Sequence, residues 1–463
     1  GGTWDLFRYP GIRSDSDMFT LGYSFRPWKE AKTVAEGPAI LQYLRETAEE
    51  FGIDRHIRFQ QRVRSASWSS QQARWTVEVT RGEDKELVSY TCHFLYLCSG
   101  YYDYEQGHAP QFAGSDDFQG QLIHPQQWPG SLDYRDKRIV VIGSGATAVT
   151  LIPALAQTAA HVTMLQRSPT YLLVLPTDDR VAQMLGKLCP EWLAHRLTRW
   201  KNVLLGIYFY QLCRRSPERA KKFFRAQLAK ELPPNFDIET HFQPHYGPWD
   251  QRVCIVPDAN LFRTIRDGRV SVVTDQIANL TKHGVALQSG RELQADIIVT
   301  ATGLKLLPCG GVRLFVDGEA VEPGQSLTYK GVMLSNVPNL AACVGYINAA
   351  WTLRADLSSA YVCRLLNYMD RHGYTSCMPR WDDAALEGRP LLGLTSGYVQ
   401  RAADLFPKQG AKAPWLLHQN YLLDLLTLHF SRVNDGFVVF SKGSPRAVPH
   451  RKVSPLTMHN SEP

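Results

Sequence analysis

The sequence predicts a multidomain α/β protein that contains a doubly wound, Rossmann-like dinucleotide-binding unit. A length of 463 residues exceeds what one typical core holds. An apolar strand from Ile139 to Ile142 runs into a glycine turn, an apolar helix and a second strand from Val162 to Leu165, which is a βαβ unit. A further apolar strand lies in the segment "ADIIVTATG", 295–303. Strands that alternate with helices in this way indicate a parallel sheet.

The elements before this unit follow from their periodicity. Residues 38–52 place Ile40, Tyr43 and Leu44 near one face, and Pro38 suits a first turn, so this segment is predicted to be a helix. The alternation of Trp75, Val77 and Val79 predicts an antiparallel meander that ends in a buried strand, "FLYLCSG".

The opening segment, "GGTWDLFRYPGIRSD", contains too much glycine, proline and aromatic residue to predict a helix. Trp4, Phe7 and Tyr9 cannot all face water. We therefore expect a loop that lines a planar ligand.

The glycine turn has the form GxGxxA and comprises Gly143, Ser144, Gly145, Ala146, Thr147 and Ala148. Small residues between a strand and a helix let the backbone approach a pyrophosphate, whose charge meets the helix N-terminus. A glycine turn without a ligand is the alternative, but the complete βαβ context favours dinucleotide binding.

The second strand of this unit ends in "LQRSP", where an NAD site often has an acidic residue. Arg167 occupies this place, and its guanidinium suits the 2′-phosphate of NADP, with Ser168 as a second donor. The alternative is that Arg167 is a solvated charge at a strand end.

Residues 176–250 change character and indicate a helical insertion with clustered basic residues. Its longest apolar stretch, 203–212, lies between "RWK" and "RR" and fits weak contact with a membrane interface. Burial against the protein itself or a partner subunit in an oligomer is the other interpretation. No apolar run approaches the roughly 20 residues that a transmembrane helix needs.

Composition excludes several function classes. The net charge of +7 is spread along the chain, which argues against a nucleic-acid partner. Nine cysteines without a CxxC pair indicate reduced thiols and a cytoplasmic protein. His241 and His245 have a helical spacing, but Pro244 argues against a helix there, so we expect no metal site.

Two longer motifs carry a resemblance to a known family. The first, FxGxxxHxxxWP, is matched at Phe118, Gly120, His124, Trp128 and Pro129. The second, GxWxxxxYPGxxxD, is matched by residues of the opening segment, Gly2, Trp4, Tyr9, Pro10, Gly11 and Asp15. With these motifs the chain resembles the type I Baeyer–Villiger monooxygenases over nearly its whole length. Details such as "PWDQR" and "PKQG" are most similar to the bacterial subgroup that includes the ethionamide-activating monooxygenase.

The resemblance implies two Rossmann-like domains and two cofactors, FAD and NADPH. The FAD-binding domain is expected over 1–111 and 340–463, and the NADP-binding domain over 112–339, with the helical insertion at 176–250. Family members carry a strand and an FAD-binding GxGxxG just before the segment matched here, so we expect this first limb upstream of Gly1 and a chain truncated at its N-terminus. The residues then expected at the cofactors, besides the glycine turn, are Gly2, Thr3, Trp4, Tyr9, Asp15, Arg167, Ser168, Thr302 and Gly303.

The resemblance also implies residue roles. Arg252 is expected to stabilise negative charge that develops on the substrate, and Asp15 to orient that arginine. A loop cap is the alternative role for Asp15, and Asp17 competes with it in "RSDSD". The family often has lysine where this chain has Gln251, which weakens the contact to NADP. His124 and Trp128 are expected at a hinge between domains, where they control domain motion and the position of NADP.

The implied function is a monooxygenase that inserts one oxygen atom from O2 next to a ketone carbonyl, giving esters or lactones. Oxidation of sulfur compounds such as thioamides or sulfides is implied by the similar subgroup. An N- or S-oxidising flavin monooxygenase is the alternative within the class, and the Trp128-Pro129 pair argues against it. A catalytically inactive NADP-binding or interaction protein that lacks the flavin site is the alternative from another class.

Overall fold

A computed structural model of the chain describes residues 1–30, 32–381 and 388–443. Its α-helices, in chain order, are α1 (Thr3–Leu6), α2 (Met18–Leu21), α3 (Gly37–Glu50), α4 (Ala146–Leu155), α5 (Arg180–Leu188), α6 (Glu191–Arg215), α7 (Pro217–Glu231), α8 (Ile238–Phe242), α9 (Asn260–Arg266), α10 (Trp351–His372), α11 (Gly397–Gln400) and α12 (Tyr421–Asp424). A π-helix, Leu425–Phe430, continues α12 directly.

The strands, in chain order, are β1 (Gln61–Ser69), β2 (Arg74–Arg81), β3 (Glu86–Cys92), β4 (Leu95–Leu97), β5 (Tyr102–Gly107), β6 (Gln121–Ile123), β7 (Arg138–Ile142), β8 (His161–Gln166), β9 (Leu172–Leu175), β10 (Cys254–Pro257), β11 (Val270–Thr274), β12 (Ile277–Thr281), β13 (Gly284–Leu287), β14 (Glu292–Gln294), β15 (Ile297–Thr300), β16 (Leu304–Leu306), β17 (Arg313–Val316), β18 (Glu319–Val321), β19 (Thr328–Tyr329), β20 (Met333–Leu334), β21 (Leu340–Ala342), β22 (Ser376–Pro379), β23 (Arg389–Pro390), β24 (Lys408–Gln409) and β25 (Val438–Ser441).

A parallel five-stranded sheet forms the predicted dinucleotide-binding unit. Its strand order is β11-β8-β7-β15-β6, and all four pairings are parallel. The inner strands are apolar on both faces, because α4 and α9 pack on one face and β12, β13 and β14 pack on the other. After β7 the chain continues to β8, which lies on one side of β7, whereas β15 pairs with β7 on its other side. The direction in which strands are added to the sheet therefore reverses between β7 and β15. Such a switch point opens a crevice at the carboxyl ends of the strands.

The other sheets join residues from both ends of the chain. The antiparallel meander β1-β2-β3 is confirmed, with Trp68 opposite Trp75 and Trp75 opposite Cys92. The edge of β1 that faces away from β2 pairs in parallel with β17, and no local sequence pattern predicts this pairing. β4 pairs in parallel with β21, and its three residues are half-buried rather than buried as predicted. Among the described residues β4 is paired along one edge only, which accounts for this difference.

These pairings bear on where the domains divide. β16 pairs with β5, β17 with β1, and β21 with β4, so residues 304–342 pack with the first third of the chain. The pairings favour a boundary near residue 303 over the expected one at 339. The expected segment 340–463 also includes residues 382–387 and 444–463, which lie outside the described residues.

Two local predictions have opposite outcomes. The helix expected at 38–52 is confirmed as α3, with Pro38 in its first turn. The opening segment, expected to be a loop throughout, is instead helical over Thr3–Leu6. Gly2, at a φ of 89°, supplies the N-cap, and the helix ends before Pro10 is reached, so one turn forms without conflict with these residues.

Candidate functional site

The glycine turn lies at the switch point of the parallel sheet. A Cβ at Gly143, where φ is +134°, would lie 2.3 Å from the carbonyl oxygen of Ala301 at the end of β15. Glycine is therefore required for the two strand ends to approach each other. Gly145 is the N-cap of α4 and provides no side-chain cap, so the first N–H groups of Ala146 and Thr147 stay available to an anion.

The predicted NADP-selecting residues lie beside this turn. Ser144 Oγ lies 3.1 Å from the carbonyl oxygen of Ser168, to which it donates, and 2.8 Å from Thr170 Oγ1. These bonds tie the turn to the end of β8. Arg167 and Ser168 are both exposed there, and Arg167 forms no ion pair with any described residue. An unpaired guanidinium at this position can receive a phosphate.

The opening segment contacts the same turn. Tyr9 lies within hydrogen-bonding reach of Thr147, and burial raises the pKa of Tyr9 to about 12, so its hydroxyl stays protonated at neutral pH. Together with His124 and Gly303, these two residues line a cleft of about 260 Å³. Thr3 Oγ1 lies 3.1 Å from the Tyr104 hydroxyl, and Trp4 packs against the core around Met18 and Trp28. Both residues hold the segment in place.

Arg252 and Asp15 form an ion pair, with 2.6 Å between Arg252 Nη2 and Asp15 Oδ2. The Asp15 carboxylate raises the pKa of Arg252, while burial acts in the opposite direction. The guanidinium therefore carries its charge at every pH at which the protein is folded. Asp17 has a different role, because its Oδ1 accepts a hydrogen bond from the Thr20 backbone N–H at 3.0 Å and caps α2. Asp15 thus pairs with Arg252, whereas Asp17 caps a helix.

Three tyrosines that sequence reasoning missed surround Arg252: Tyr101, Tyr102 and Tyr398. Burial raises the pKa of each, so they remain neutral hydroxyls beside the cation. Tyr398 comes from the C-terminal part of the chain, and no local spacing connects it with Arg252. The position of Tyr101-Tyr102 directly after the predicted strand that ends in "CSG" is the one local signal that could have drawn attention to them.

A tight turn positions the chain that carries Arg252. The Gly247 backbone N–H donates to Asp250 Oδ2 at 2.8 Å, and Trp249 adopts a left-handed φ of 69°. Thr395 donates its backbone N–H to the Asp250 carbonyl oxygen at 2.7 Å. Since Asp250 also binds Arg214 of α6 at 2.5 Å, this turn connects the helical insertion, the C-terminal segment and Arg252.

His124 joins the two strand ends of the predicted hinge. Its Nδ1 accepts the Gln126 backbone N–H at 3.2 Å, and its Nε2 lies 3.3 Å from the Gly303 carbonyl oxygen. Burial lowers the pKa of His124, so the ring is neutral at pH 7 with the proton on Nε2. A Cβ at Gly107 would lie 1.9 Å from the ring, which makes glycine necessary at that position. Thr302 Oγ1 donates to the His108 carbonyl oxygen at 2.5 Å and fixes the same crossing.

The remaining motif residues support the sheet. Phe118 packs against the core on the sheet face that includes Val140 of β7 and Ile298 of β15, and a Cβ at Gly120 would lie 2.3 Å from the Asp296 carbonyl oxygen. Trp128 packs against the opposite core with its ring 6.2 Å from that of Tyr134, while Pro129 is exposed. None of these four residues is placed at Arg252, in contrast to Asp15.

A second and larger groove, of about 540 Å³, lies at the carboxyl ends of β4 and β21. Leu97, Ser99, Gly100 and Cys343 follow these strands and line it. The ends of neighbouring parallel strands are where a dinucleotide binds in this class of fold. The nearby loop holds Asn348, whose buried Oδ1 has no partner among the described residues, and leads to the uncapped N-terminus of α10. A groove at two parallel strand ends, with an uncapped helix N-terminus after the next loop, fits the pyrophosphate of a dinucleotide such as FAD.

The remaining candidates are a metal site and a membrane-spanning helix. Within the described ranges no cluster of three metal-ligating side chains occurs. His241 lies in α8, which ends at Phe242 before Pro244, and its Nδ1 lies 2.8 Å from Thr274 Oγ1. Over the same residues, no helix has the length and apolarity required to cross a bilayer.

Comparisons with known proteins identify relatives of this chain. Residues 33–367 match the family model described as flavin-binding monooxygenase-like. The chain is 53% identical over 443 residues to the FAD-containing monooxygenase EthA of Mycobacterium tuberculosis, covering 96% of this chain and 90% of that protein. It is 46% identical over 444 residues to the probable FAD-binding monooxygenase AlmA of Acinetobacter baylyi, covering 96% and 89%.

A solved structure of steroid monooxygenase bound to NADP superimposes with a TM-score of 0.72 at 22% identity, over 96% of this chain and 93% of the other. A structure of OTEMO in complex with FAD and NADP gives a TM-score of 0.71 at 20% identity, over 95% and 93%. Both likenesses concern the fold and show its two Rossmann-like halves. With a family model that covers most of its length and relatives of high identity, the chain belongs to the flavin-binding monooxygenase-like family.

Proposed function

We propose that this protein is an FAD- and NADPH-dependent monooxygenase that inserts one oxygen atom from O2 into small-molecule ketones and oxidises sulfur compounds such as thioamides. In the ketone reaction one atom of O2 enters the ester or lactone, the other leaves as water, and NADPH becomes NADP⁺. The observation that carries the proposal is the ion pair of Arg252 and Asp15, whose carboxylate interacts electrostatically with Tyr9 of the cleft at the glycine turn. The high identity to monooxygenases described as FAD-containing supports it.

Arg252 is the proposed catalytic residue. Bound FAD supplies the activation of O2 that no side chain can provide. Negative charge then develops on the substrate oxygen, and a fixed guanidinium in a partly dehydrated site stabilises it more strongly than water does. Asp15 holds the guanidinium in one orientation, and the neutral hydroxyls of Tyr101, Tyr102 and Tyr398 add no competing charge. Asp15 is thus proposed as a positioning residue.

The proposed NADPH site is the switch point of the parallel sheet. The pyrophosphate would lie against the turn from Gly143 to Thr147 at the N-terminus of α4. Arg167, with Ser168, would bind the 2′-phosphate. His124, neutral and bonded to Gly303, is proposed to fix the chain crossing between the two halves. Trp128 packs against the core of the parallel sheet and holds this crossing there. His124 and Trp128 are thus proposed to control how the two domains are positioned, and not to transfer protons.

The proposed FAD site uses the larger groove and the opening segment. Gly2, Thr3, Trp4 and Tyr9 would approach the cofactor from one side, with Thr302 and Gly303 at the crossing. The expected domain division stays a proposal, with residues 1–111 and the C-terminal part binding FAD. The boundary on the NADP side is best drawn near residue 303, as the strand pairings favour.

The proposal also covers the cellular location of the protein and its contact with membranes. All nine cysteines are free thiols, which supports a cytoplasmic location. We also propose weak association with membranes through the helical insertion, where Leu204, Leu205 and Tyr208 are exposed on α6.

The decisive experiment uses the purified full-length gene product. Its absorbance spectrum shows bound flavin if the proposal holds, and NADPH bleaches that spectrum. Consumption of NADPH is then measured with and without phenylacetone, together with the ester formed. Turnover of amines and sulfides without any ester from ketones would favour the N- or S-oxidising alternative. A colourless protein that binds NADP but takes up no added FAD would refute the enzyme and leave the inactive NADP-binding protein.

A further inference from the structure

Although charged side chains lie all along the chain, the excess of basic over acidic residues falls within the three helices α5, α6 and α7. Residues 180–231, from α5 to the end of α7, contain 12 lysines and arginines against 3 acidic residues, a net charge of +9. The whole chain of 463 residues carries +7. Five of these twelve basic side chains form ion pairs, four of them with acidic residues outside 180–231, so the local basic surface consists of the remaining, unpaired ones.

The first two of these helices form a hairpin with an apolar tip. Asp179, the N-cap of α5, binds Lys201 of α6, so the two helices run antiparallel from a short turn at residues 189–190. Leu188 and Trp192 stand on either side of this turn and are 74% and 64% exposed. Along α5, Val181 and Met184 share a face with Leu188 and are exposed as well. The tip thus presents large apolar side chains to solvent.

Unpaired basic residues flank this tip. Lys187 and Arg196 are exposed on either side of it, and neither forms an ion pair with a residue that the structure describes. Glu191 is the one acidic residue at this turn, and its Oε1 lies 3.9 Å from Lys29 Nζ. Exposed leucine and tryptophan next to free lysine and arginine form a combination typical of segments that lie in a lipid interface.

We infer that the α5–α6 hairpin tip binds the surface of a membrane that contains anionic lipid, with Leu188 and Trp192 entering the interface and Lys187 and Arg196 contacting the headgroups. This inference rests on the proposed weak membrane association, but it places the contact at the hairpin tip instead of at Leu204, Leu205 and Tyr208, and it names the lipid chemistry. A second copy of the chain fits this surface poorly, because Lys187 and Arg196, which have no ion-pair partner among the described residues, would face the same positive charges of the other copy. Anionic lipid complements both the charge and the apolar tip.

The test is co-sedimentation of the full-length protein with sucrose-loaded vesicles. Neutral phosphatidylcholine vesicles are compared with vesicles in which a fraction of the lipid is phosphatidylglycerol. We expect binding to rise at least about tenfold with the anionic lipid and to fall as salt is raised, since the headgroup contacts are screened. Equal binding to both vesicle types, or none to either, would overturn the inference.

Variants separate the two contributions. Leu188→Ser with Trp192→Ser removes the apolar tip, and Lys187→Ala with Arg196→Ala removes the flanking charge; each pair is expected to lower vesicle binding about tenfold or more. Phe59→Ser is the matched control, because Phe59 is 68% exposed in a loop outside these three helices. If the control lowers binding as much as the tip variant, the surface is misassigned. If sedimentation velocity shows a dimer that the tip variant abolishes, the occupant is a second copy and the inference fails.

The measurement is independent of the proposed enzymatic function, because pelleting with vesicles needs neither cofactor nor turnover. Leu188 and Trp192 lie outside the cofactor and substrate machinery, so NADPH-dependent oxidation of a soluble ketone should be unchanged in the tip variant. Failure of catalysis with vesicle binding intact would refute the monooxygenase proposal alone.

Discussion

Arg252 Nη2 lies 2.6 Å from Asp15 Oδ2, although one residue follows the helical insertion and the other closes the opening segment. The pair joins parts of the chain that share no strand or helix. Because Asp15 is more exposed than Arg252, at 42% against 27%, the carboxylate retains some solvent contact while the guanidinium points inward. Orientation of the cation, more than stabilisation of the fold, is the function that this geometry favours.

Replacing Arg252 should abolish oxygen transfer while the cofactors still bind. For Arg252→Ala we expect a loss of ester formation of about 10²–10³-fold, since a single preorganised charge that acts on the transition state has this effect. NADPH oxidation should continue and release hydrogen peroxide instead of product. The measurement compares ester formed with NADPH consumed. A variant that keeps this ratio at the wild-type value would remove Arg252 from the catalytic role.

Asp15→Asn should lower turnover without unfolding the protein. The amide cannot form the ion pair, so Arg252 loses its fixed orientation and we expect kcat to fall about tenfold with little change in Tm. Asp17→Ala is the control, since Asp17 caps α2 and its Oδ1 accepts a hydrogen bond from Asn202 Nδ2 at 2.8 Å. Alanine removes the cap, so that variant should lower stability by about 1 kcal/mol and leave kcat near the wild-type value. The reverse pattern would make Asp15 a loop cap.

Gly143 and Gly145 should respond differently to alanine. A Cβ at Gly143 collides with the Ala301 carbonyl, and its φ of +134° disfavours any other residue, so Gly143→Ala should lower Tm by several degrees. A Cβ at Gly145 meets nothing within 4 Å, so Gly145→Ala should fold normally. It should nevertheless weaken NADPH binding, because the methyl group occupies the space of the pyrophosphate. Thermal melts with and without NADPH, and NADPH titration, measure both effects. Normal NADPH affinity in Gly145→Ala would place the cofactor elsewhere.

The sequence was most informative where the chemistry is local. The glycine turn, Arg167 and the buried strands were readable because spacing and apolar pattern determine them within one βαβ unit. The pairing of Asp15 with Arg252 was implied only by family resemblance, since nothing in the chain between them encodes their contact.

What could not be read depends on contacts across the chain. Tyr398 at Arg252, Thr395 on Asp250 and the parallel pairing of β17 with β1 all join distant segments. The expected loop at Thr3–Leu6 was wrong for a different reason, because four residues form too short a helix to produce a periodic pattern. The prediction rested on the content of glycine, proline and aromatic residues, and it did not consider Gly2 as the N-cap of a short helix.

Arg167 should determine the choice between the two nicotinamide cofactors. It is exposed at the end of β8 and has no ion-pair partner among the described residues, so a 2′-phosphate would find it free. For Arg167→Ala we expect KM for NADPH to rise about 10–100-fold, while KM for NADH changes little, because NADH has no phosphate at this position. Arg135→Ala is the matched control, since Arg135 is an exposed arginine paired with Asp133 at 2.8 Å. Steady-state kinetics with both cofactors give the comparison, and an equal rise for NADH would mean that Arg167 supports the fold of the site and does not read the phosphate. Because Gln251 replaces the lysine common in similar proteins, Gln251→Lys should act in the opposite direction and lower KM for NADPH alone.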